Sequence, residues 1–331
     1  MRGARWVLVM LLGVSPVAVG AERLPELQAD PGRSSVSGLS SGAFMAVQYQ
    51  VAFSASTLGV GVVAGGPYAC ASVTPGGLVG CMSGAPRGEA SFAAADAAAS
   101  AGKIDPLAGL ARSRVYLFSG SRDETVVPAV VAAVAVFYRR AGVAEANLRA
   151  VTDLPAGHAF LSPAAEHPCE VTEAPYLNTC PAPAGEGAYD QAGAILDHLY
   201  GPLQPPAADP PPPLAFDQRE FGGSDLADTG YLYLPEACRA GRGRECAVHV
   251  VFHGCRQGVA AVGDAITVRA GYNRWAETNR IIVLYPQVAP SLLPFNPRGC
   301  WDWWGYTGAD FASRSAPQLA AIRAMVERLT H

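Results

Sequence analysis

Gly38-Leu39-Ser40-Ser41-Gly42 is the stretch on which the reading of this chain turns. It has the form G-x-S-x-G. Ser34-Ser35-Val36-Ser37 before it is short and β-prone, and Ala43 to Phe53 after it is an apolar segment of helical character. Strand, sharp turn, helix is the setting in which such a serine serves as a nucleophile, because the turn lifts its hydroxyl clear of the strand end. The glycines follow from the same geometry. Side chains at 38 and 42 would collide across the turn, and the serine backbone itself is strained. Ser40 is therefore the candidate nucleophile; the plainer alternative is a Gly/Ser-rich turn with no chemistry. The pattern is short, so the rest of the chain must supply a base, an orienting acid and donors for an oxyanion.

The chain has 331 residues, 50% of them hydrophobic and 16% charged, enough for a large core. The formal net charge is −4 with no basic run, which argues against nucleic acid as a partner. Residues 1–21 read as a signal peptide. Arg2 and Arg5 precede an apolar run, Trp6 to Val14, too short to span a bilayer, and Val19-Gly20-Ala21 supplies small residues at a cleavage site. A membrane anchor is the alternative. Removing residues 1–21 takes away two arginines and no acids, so the formal charge of the mature chain moves from −4 to −6. The mature chain, 22–331, is expected to have no membrane span and to be periplasmic or extracellular. Its oligomeric state is open.

Cys70, Cys81, Cys169, Cys180, Cys238, Cys246, Cys255 and Cys300 make an even set behind a signal peptide, which reads as disulfides. No C-x-x-C or clustered Cys/His spacing points to zinc, and neither a metal nor any other cofactor is expected. Proximity suggests Cys70–Cys81, Cys169–Cys180 and Cys238–Cys246, leaving Cys255 with Cys300, but proximity does not decide connectivity.

Strands and helices alternate from Ser34 to about Tyr200. Strands are expected at Leu58–Ala64, Val115–Gly120 and Leu148–Thr152, and helices at Ala90–Ala101, Ala129–Arg140 and Ala188–Tyr200. Residues 201–213 then carry seven prolines, a stiff extended connector. Beyond it, strands Gly230–Leu234, Ala247–Phe252 and Arg280–Tyr285, with helices near Thr267–Glu277 and at Ala316–Leu329, read as half of a parallel α/β sheet with no catalytic set of its own.

A serine hydroxyl needs a base, and the base needs an acid to hold its tautomer. Asp123 follows an apolar strand and precedes a helix; a turn or helix-cap aspartate is its ordinary role. Glu124 is its neighbouring rival. His158, in the glycine-containing loop Pro155–Phe160 after the next strand, is the candidate base. His167, His198, His249 and His331 fall in a loop, a helix, a strand and the terminus. One oxyanion donor is the N–H of Ser41, next to the nucleophile. The other is normally on a His-Gly loop after an earlier strand. Here that loop comes late, at Val250-Val251-Phe252-His253-Gly254-Cys255, and its donor is Cys255 N–H, with His253 a structural histidine. The first half of the usual strand order thus stands at the end of the chain. The expected fold is α/β, a circularly permuted α/β-hydrolase with a mostly parallel central sheet and helices on both faces. Residues 201–213 would join the old termini within one catalytic domain, 22–331.

Gly38–Ala46, Asp123, Gly157-His158, His253-Gly254-Cys255 and Gly299-Cys300-Trp301-Asp302-Trp303-Trp304 together resemble the polyhydroxybutyrate (PHB) depolymerases, over almost the whole mature chain and above all their single-domain, permuted members. The resemblance implies hydrolysis of a poly(3-hydroxyalkanoate), as polymer or oligomer, through an acyl-enzyme. Ser40 would attack, His158 would move the proton, Asp123 would orient it, and Ser41 and Cys255 N–H would hold the oxyanion. Trp301, Trp303 and Trp304 would line an apolar substrate groove, at least one of them being buried instead. Family members that attack crystalline polymer carry a linker and a separate binding domain. This chain ends at His331 with neither, which weighs against attack on dense crystalline granules; amorphous polymer or oligomers would need less surface adhesion. A feruloyl or acetyl-xylan esterase, or another polyester hydrolase, would share the triad and differ in the groove. A polymer-binding protein on the same fold is the non-enzyme alternative, and a complete triad weighs against it.

Overall fold

The computed structural model describes residues 21–183, 185, 187–222, 226–239 and 241–331. The expected signal peptide, except Ala21, lies outside them. Eight strands form one sheet in the order β4-β3-β2-β1-β9-β10-β8-β7. They are β1 Ser34–Leu39, β2 Thr57–Val63, β3 Arg114–Phe118, β4 Leu148–Val151, β7 Leu214–Asp217, β8 Thr229–Tyr233, β9 Ala247–Phe252 and β10 Ile281–Tyr285. A separate two-stranded pair joins β5 Phe160–Leu161 to β6 Leu177–Asn178. The longer helices are α1 Ser41–Ala52, α4 Gly88–Ser100, α5 Pro128–Arg140, α6 Gln191–Tyr200, α8 Tyr272–Asn279 and α9 Pro317–Thr330; α2 Cys70–Val73, α3 Gly77–Ser83 and α7 Val259–Val262 are short.

Side chains alternate across the sheet with the period of two that strands impose. Val248, Val250 and Phe252 of β9, with Ile282 and Leu284 of β10, pack into one core with α1, α5 and α9. Val251, Ile281, Val283 and Tyr285 face the other core, which takes in Ile195, Leu196 and Leu199 of α6 and Ala276 of α8. Helices therefore cover both faces. Helix α1 is buried on every side. Its two glutamines are satisfied inside the core, Gln48 on the carbonyl of Asp302 and Gln50 on Ser113 and Tyr138.

Two expectations change. The last third of the chain is not wholly parallel: β10 pairs antiparallel with β8, and β8 antiparallel with β7. The β7–β8 connection is too short for the crossover that parallel strands need. The helix expected over 267–277 also starts late. Ala265–Arg269 forms a π turn, Gly271 adopts φ 97°, and the α-helix begins at Tyr272.

Helix α9 ends beside the entrance to β1. The N–H of Ala29 donates to Leu329 O at 2.9 Å and that of Gln28 to His331 O at 3.2 Å, so the end of α9 meets the chain just before β1. Counted from β7 through α9 and on into β1, the strands run in the usual hydrolase succession, with the elbow following the C-terminal helix. Residues 201–213 run from α6 to β7 across α8, where Ala207 N donates to Arg274 O and Gln204 N to Asn279 Oδ1.

Candidate active site

Strands β1, β2, β3, β4 and β9 are parallel, so their carboxyl ends share one edge of the sheet. At about 4.8 Å between neighbours, the loops after β1, β3, β4 and β9 crowd a short length of that edge.

Ser40 sits between β1 and α1 with φ 57° and ψ −124°, a conformation a non-glycine residue adopts only when its surroundings enforce it. The enforcement is visible. Ser40 N donates to Val63 O on β2, and Ser40 O accepts from Ala43 and Phe44. A Cβ at Gly42 would lie 2.2 Å from Phe252 O and 2.5 Å from His253 O, and one at Gly38 would lie 2.4 Å from the backbone of Gly42. Only glycine permits the helix start to press against the end of β9, so G-x-S-x-G here couples the serine to the strand carrying the His-Gly loop.

Asp123 and His158 are both buried, 3% and 5% exposed, and hydrogen-bonded to each other, Nδ1 to Oδ2 at 2.8 Å. The other carboxylate oxygen of Asp123 accepts the N–H groups of Thr125 and Val126, each at 2.9 Å. Those two donors fix the carboxylate, so Oδ2 can only accept. The imidazole consequently carries its proton on Nδ1 and leaves Nε2 with a lone pair. Glu124 is exposed and makes no such bond. The loop holding His158 is pinned by Gly157 N on Cys169 O and by His158 N on Thr172 Oγ1, both at 2.9 Å.

The loop after β9 reaches the serine: a Cβ on Gly254 would stand 3.5 Å from Cβ of Ser40. Val288 N donates to His253 Nε2 at 3.2 Å, so Nδ1 carries the proton and donates to Gly254 O at 2.7 Å. Burial pushes this imidazole down to about 4 and keeps it neutral. His249, inside β9, is likewise pushed down by burial to about 3, between Ser35 and Ser37 of β1. Two backbone donors at the edge are unspent. Ser41 N is in the first turn of α1, where no helical acceptor exists. Cys255 N has no partner among the described residues.

The disulfides are Cys70–Cys81, Cys169–Cys180, Cys238–Cys246 and Cys255–Cys300, with no free cysteine among the described residues. The last ties the tryptophan segment to the loop after β9. Trp301 corrects an expectation. It is 0% exposed, edge-on to Phe252 at 5.0 Å, and belongs to the core rather than to a groove. Trp303 is a second correction: it is buried in the other core, stacked on Phe44 of α1 at 4.0 Å, and does not line an open groove. Trp304 is half-buried, packed on Trp303 and Tyr306. Asp302 orders this turn. Its carboxylate accepts the N–H groups of Trp304, Gly305, Tyr306 and Thr307 and the Thr307 hydroxyl. The Asp within W-D-W-W was the only sequence signal for that role. A cavity of about 640 Å³ lies farther along the same edge, between Arg256–Ala261, Gln287–Pro290 and Pro297–Gly299. Among the described residues no group of His, Cys, Asp and Glu could hold a metal ion, and no helix is long and apolar enough to cross a membrane.

No family model matches the chain. It is 41% identical to a poly(3-hydroxybutyrate) depolymerase of Delftia acidovorans over 97% of its length, and spans 64% of that relative. It is 34% identical to a polyhydroxybutyrate depolymerase of Talaromyces funiculosus over 97% of this chain and 96% of the relative. The crystal structure of the PHB depolymerase from Penicillium funiculosum superposes with a TM-score of 0.84 at 34% identity, covering 93% of this chain and 98% of that one. A serine-to-alanine PHB depolymerase complexed with an R3HB trimer superposes equally well.

Proposed function

This chain belongs to the polyhydroxybutyrate depolymerase family, and we propose that it is a serine esterase that hydrolyses poly(3-hydroxybutyrate), or a related short-chain polyhydroxyalkanoate and its oligomers, through an acyl-enzyme. His158 Nε2 takes the proton of Ser40 as the hydroxyl oxygen attacks the ester carbonyl. The negative charge that develops on the carbonyl oxygen is held by Ser41 N–H and Cys255 N–H, each such donor worth roughly 3 kcal/mol of barrier. The imidazolium, oriented by Asp123, returns the proton to the leaving alkoxide. Water then repeats the sequence on the acyl-enzyme and releases a 3-hydroxy acid.

The observation that carries this reading is the Asp123–His158 hydrogen bond, made on the same sheet edge as a strained serine. Exposed Leu292, Leu293 and Phe295, at 77%, 94% and 72%, crown the loop that leads into Cys300 and suit contact with an apolar solid. Of the three tryptophans, half-buried Trp304 is the one we read as touching substrate. Four disulfides fit maturation in an oxidising compartment. We read residues 1–21 as the export signal, 22–331 as one catalytic domain and 201–213 as the permutation joint, with release to the periplasm or the medium. Ser40→Ala should abolish release of 3-hydroxybutyrate oligomers from amorphous polymer and leave the circular dichroism unchanged. A folded Ser40→Ala protein with full activity would overturn the assignment.

A further inference from the structure

The oxyanion loop is held by a side chain that this reaction scheme does not use. Gln257, two residues beyond Cys255, is 2% exposed. Its Oε1 accepts the N–H of Gly254 at 2.7 Å, and its Nε2 donates to the carbonyls of Pro175 at 3.0 Å and Tyr176 at 3.1 Å. A donor on one side and two acceptors on the other allow one orientation of the amide.

Pro175 and Tyr176 lie within the loop closed by Cys169–Cys180. That loop also holds the base, since Cys169 O receives Gly157 N and Thr172 Oγ1 receives His158 N. Gln257 is thus a polar bridge from the loop carrying Cys255 to the disulfide loop that in turn pins the His158 loop. It also selects the donor. Gly254 N is spent on Gln257, Arg256 N on Arg298 O and Gln257 N on Gly254 O, which leaves Cys255 N as the turn's unspent donor among the described residues. The carbonyl of the Gly254–Cys255 peptide is held as well, by His253 Nδ1–H.

We propose that Gln257 is a positioning residue that fixes the oxyanion donor Cys255 N–H relative to the base His158. The inference rests on the catalytic reading above. Charge develops on the carbonyl oxygen while the proton moves to Nε2, so both groups must stay in register with one carbon. A misplacement of about 1 Å costs on the order of 100-fold in rate.

The test uses Gln257→Leu and Gln257→Glu, assayed on a soluble 3-hydroxybutyrate trimer, with active sites counted by a serine-directed phosphonate. Gln257→Leu should lower kcat per folded site by about 100-fold and leave KM nearly unchanged. Gln257→Glu supplies a second, near-isosteric readout. Its carboxylate still accepts from Gly254 N but opposes two carbonyls, whereas the protonated acid carries an O–H donor and imitates the amide. The ratio of its kcat to wild type should therefore rise as pH is lowered, while the Gln257→Leu ratio stays flat. A side chain that only supports the fold would lower the number of active sites and give no such rise. Wild-type kcat in Gln257→Leu, or a Gln257→Glu ratio that does not rise on acidification, overturns the proposal. Ser40→Ala assayed alongside separates the two failures: if it is active the catalytic reading itself falls, and if it is inactive the failure belongs to the role of Gln257 alone.

Discussion

Asp123→Asn is nearly isosteric, yet the hydrogen bonds around it dictate a specific loss. The N–H groups of Thr125 and Val126 both point at Oδ1. The amide must leave its oxygen there, because an NH₂ facing two N–H donors would be repelled. Its nitrogen then occupies the place of Oδ2, 2.8 Å from His158 Nδ1. An N–H aimed at Nδ1 demands a lone pair on that atom and moves the imidazole proton to Nε2, the atom that has to accept from Ser40. The base is present in the wrong tautomer, which costs about 10⁴ in kcat, or roughly 5.5 kcal/mol of barrier. Stability should fall much less. The two backbone bonds to Oδ1 survive, and one charge-assisted bond is lost, about 2 kcal/mol. The assay is kcat and KM on a soluble 3-hydroxybutyrate trimer, with thermal unfolding of the same samples and Ser40→Ala as the activity floor. A folded Asp123→Asn protein retaining a tenth of wild-type kcat refutes the tautomer argument. If Glu124→Gln were the inactive variant instead, the orienting role would pass to the exposed neighbour.

Stability should fall on acidification because of two histidines outside the Asp123–His158 pair. His249 and His253 are held by burial at about 3 and about 4, below the ordinary value near 6.5, so the unfolded chain binds protons that the folded one refuses. Their contribution is complete above pH 6.5 and is lost as pH falls toward 4, with a slope near pH 5 of roughly 2.7 kcal/mol per unit for two protons. A denaturation midpoint that does not move between pH 6.5 and 4.5 contradicts this. Trp301→Ala should unfold several degrees earlier, since emptying a buried tryptophan site costs about 3–5 kcal/mol, whereas Trp304→Ala should chiefly raise KM. The reverse pattern would return Trp301 to the groove. Leu293→Ser with Phe295→Ser should reduce adsorption to a polymer film and the rate on it, and leave trimer hydrolysis unchanged; equal losses on both substrates would deny the loop a role in adhesion.

What could be read from the sequence was local or ordinal. The elbow, the strands after which Asp123 and His158 stand, and the late His-Gly loop all declare themselves through short patterns and their order along the chain. The direction of β8 did not. Thr229–Tyr233 has the same apolar run whichever way it lies, and only its pairing with Tyr285 of β10 settles the matter. The tryptophans failed for a related reason. W-D-W-W gives composition but not depth, and beside the Cys255–Cys300 bridge the first indole packs under the loop after β9, against Phe252 and His253. Gln257 carried no signal at all, because its partners at Pro175 and Tyr176 are 82 and 81 residues away.

The permutation gives those distant contacts their significance. Ser40 lies near the start of the described chain and Cys255 more than two hundred residues later, yet β1 and β9 are hydrogen-bonded neighbours in continuous register from Ser34–Val248 to Gly38–Phe252. His249 bonds Ser35 and Ser37 across that seam. A one-residue slip would break both bonds and move Cys255 by about 3.3 Å relative to Ser40. A buried histidine apart from the Asp123–His158 pair therefore helps to set where the loop after β9 stands. The register that sets the loop after β9 beside Ser40 is thus held across the sheet, by the β1–β9 ladder and by His249 on Ser35 and Ser37, rather than by a covalent link between α9 and β1.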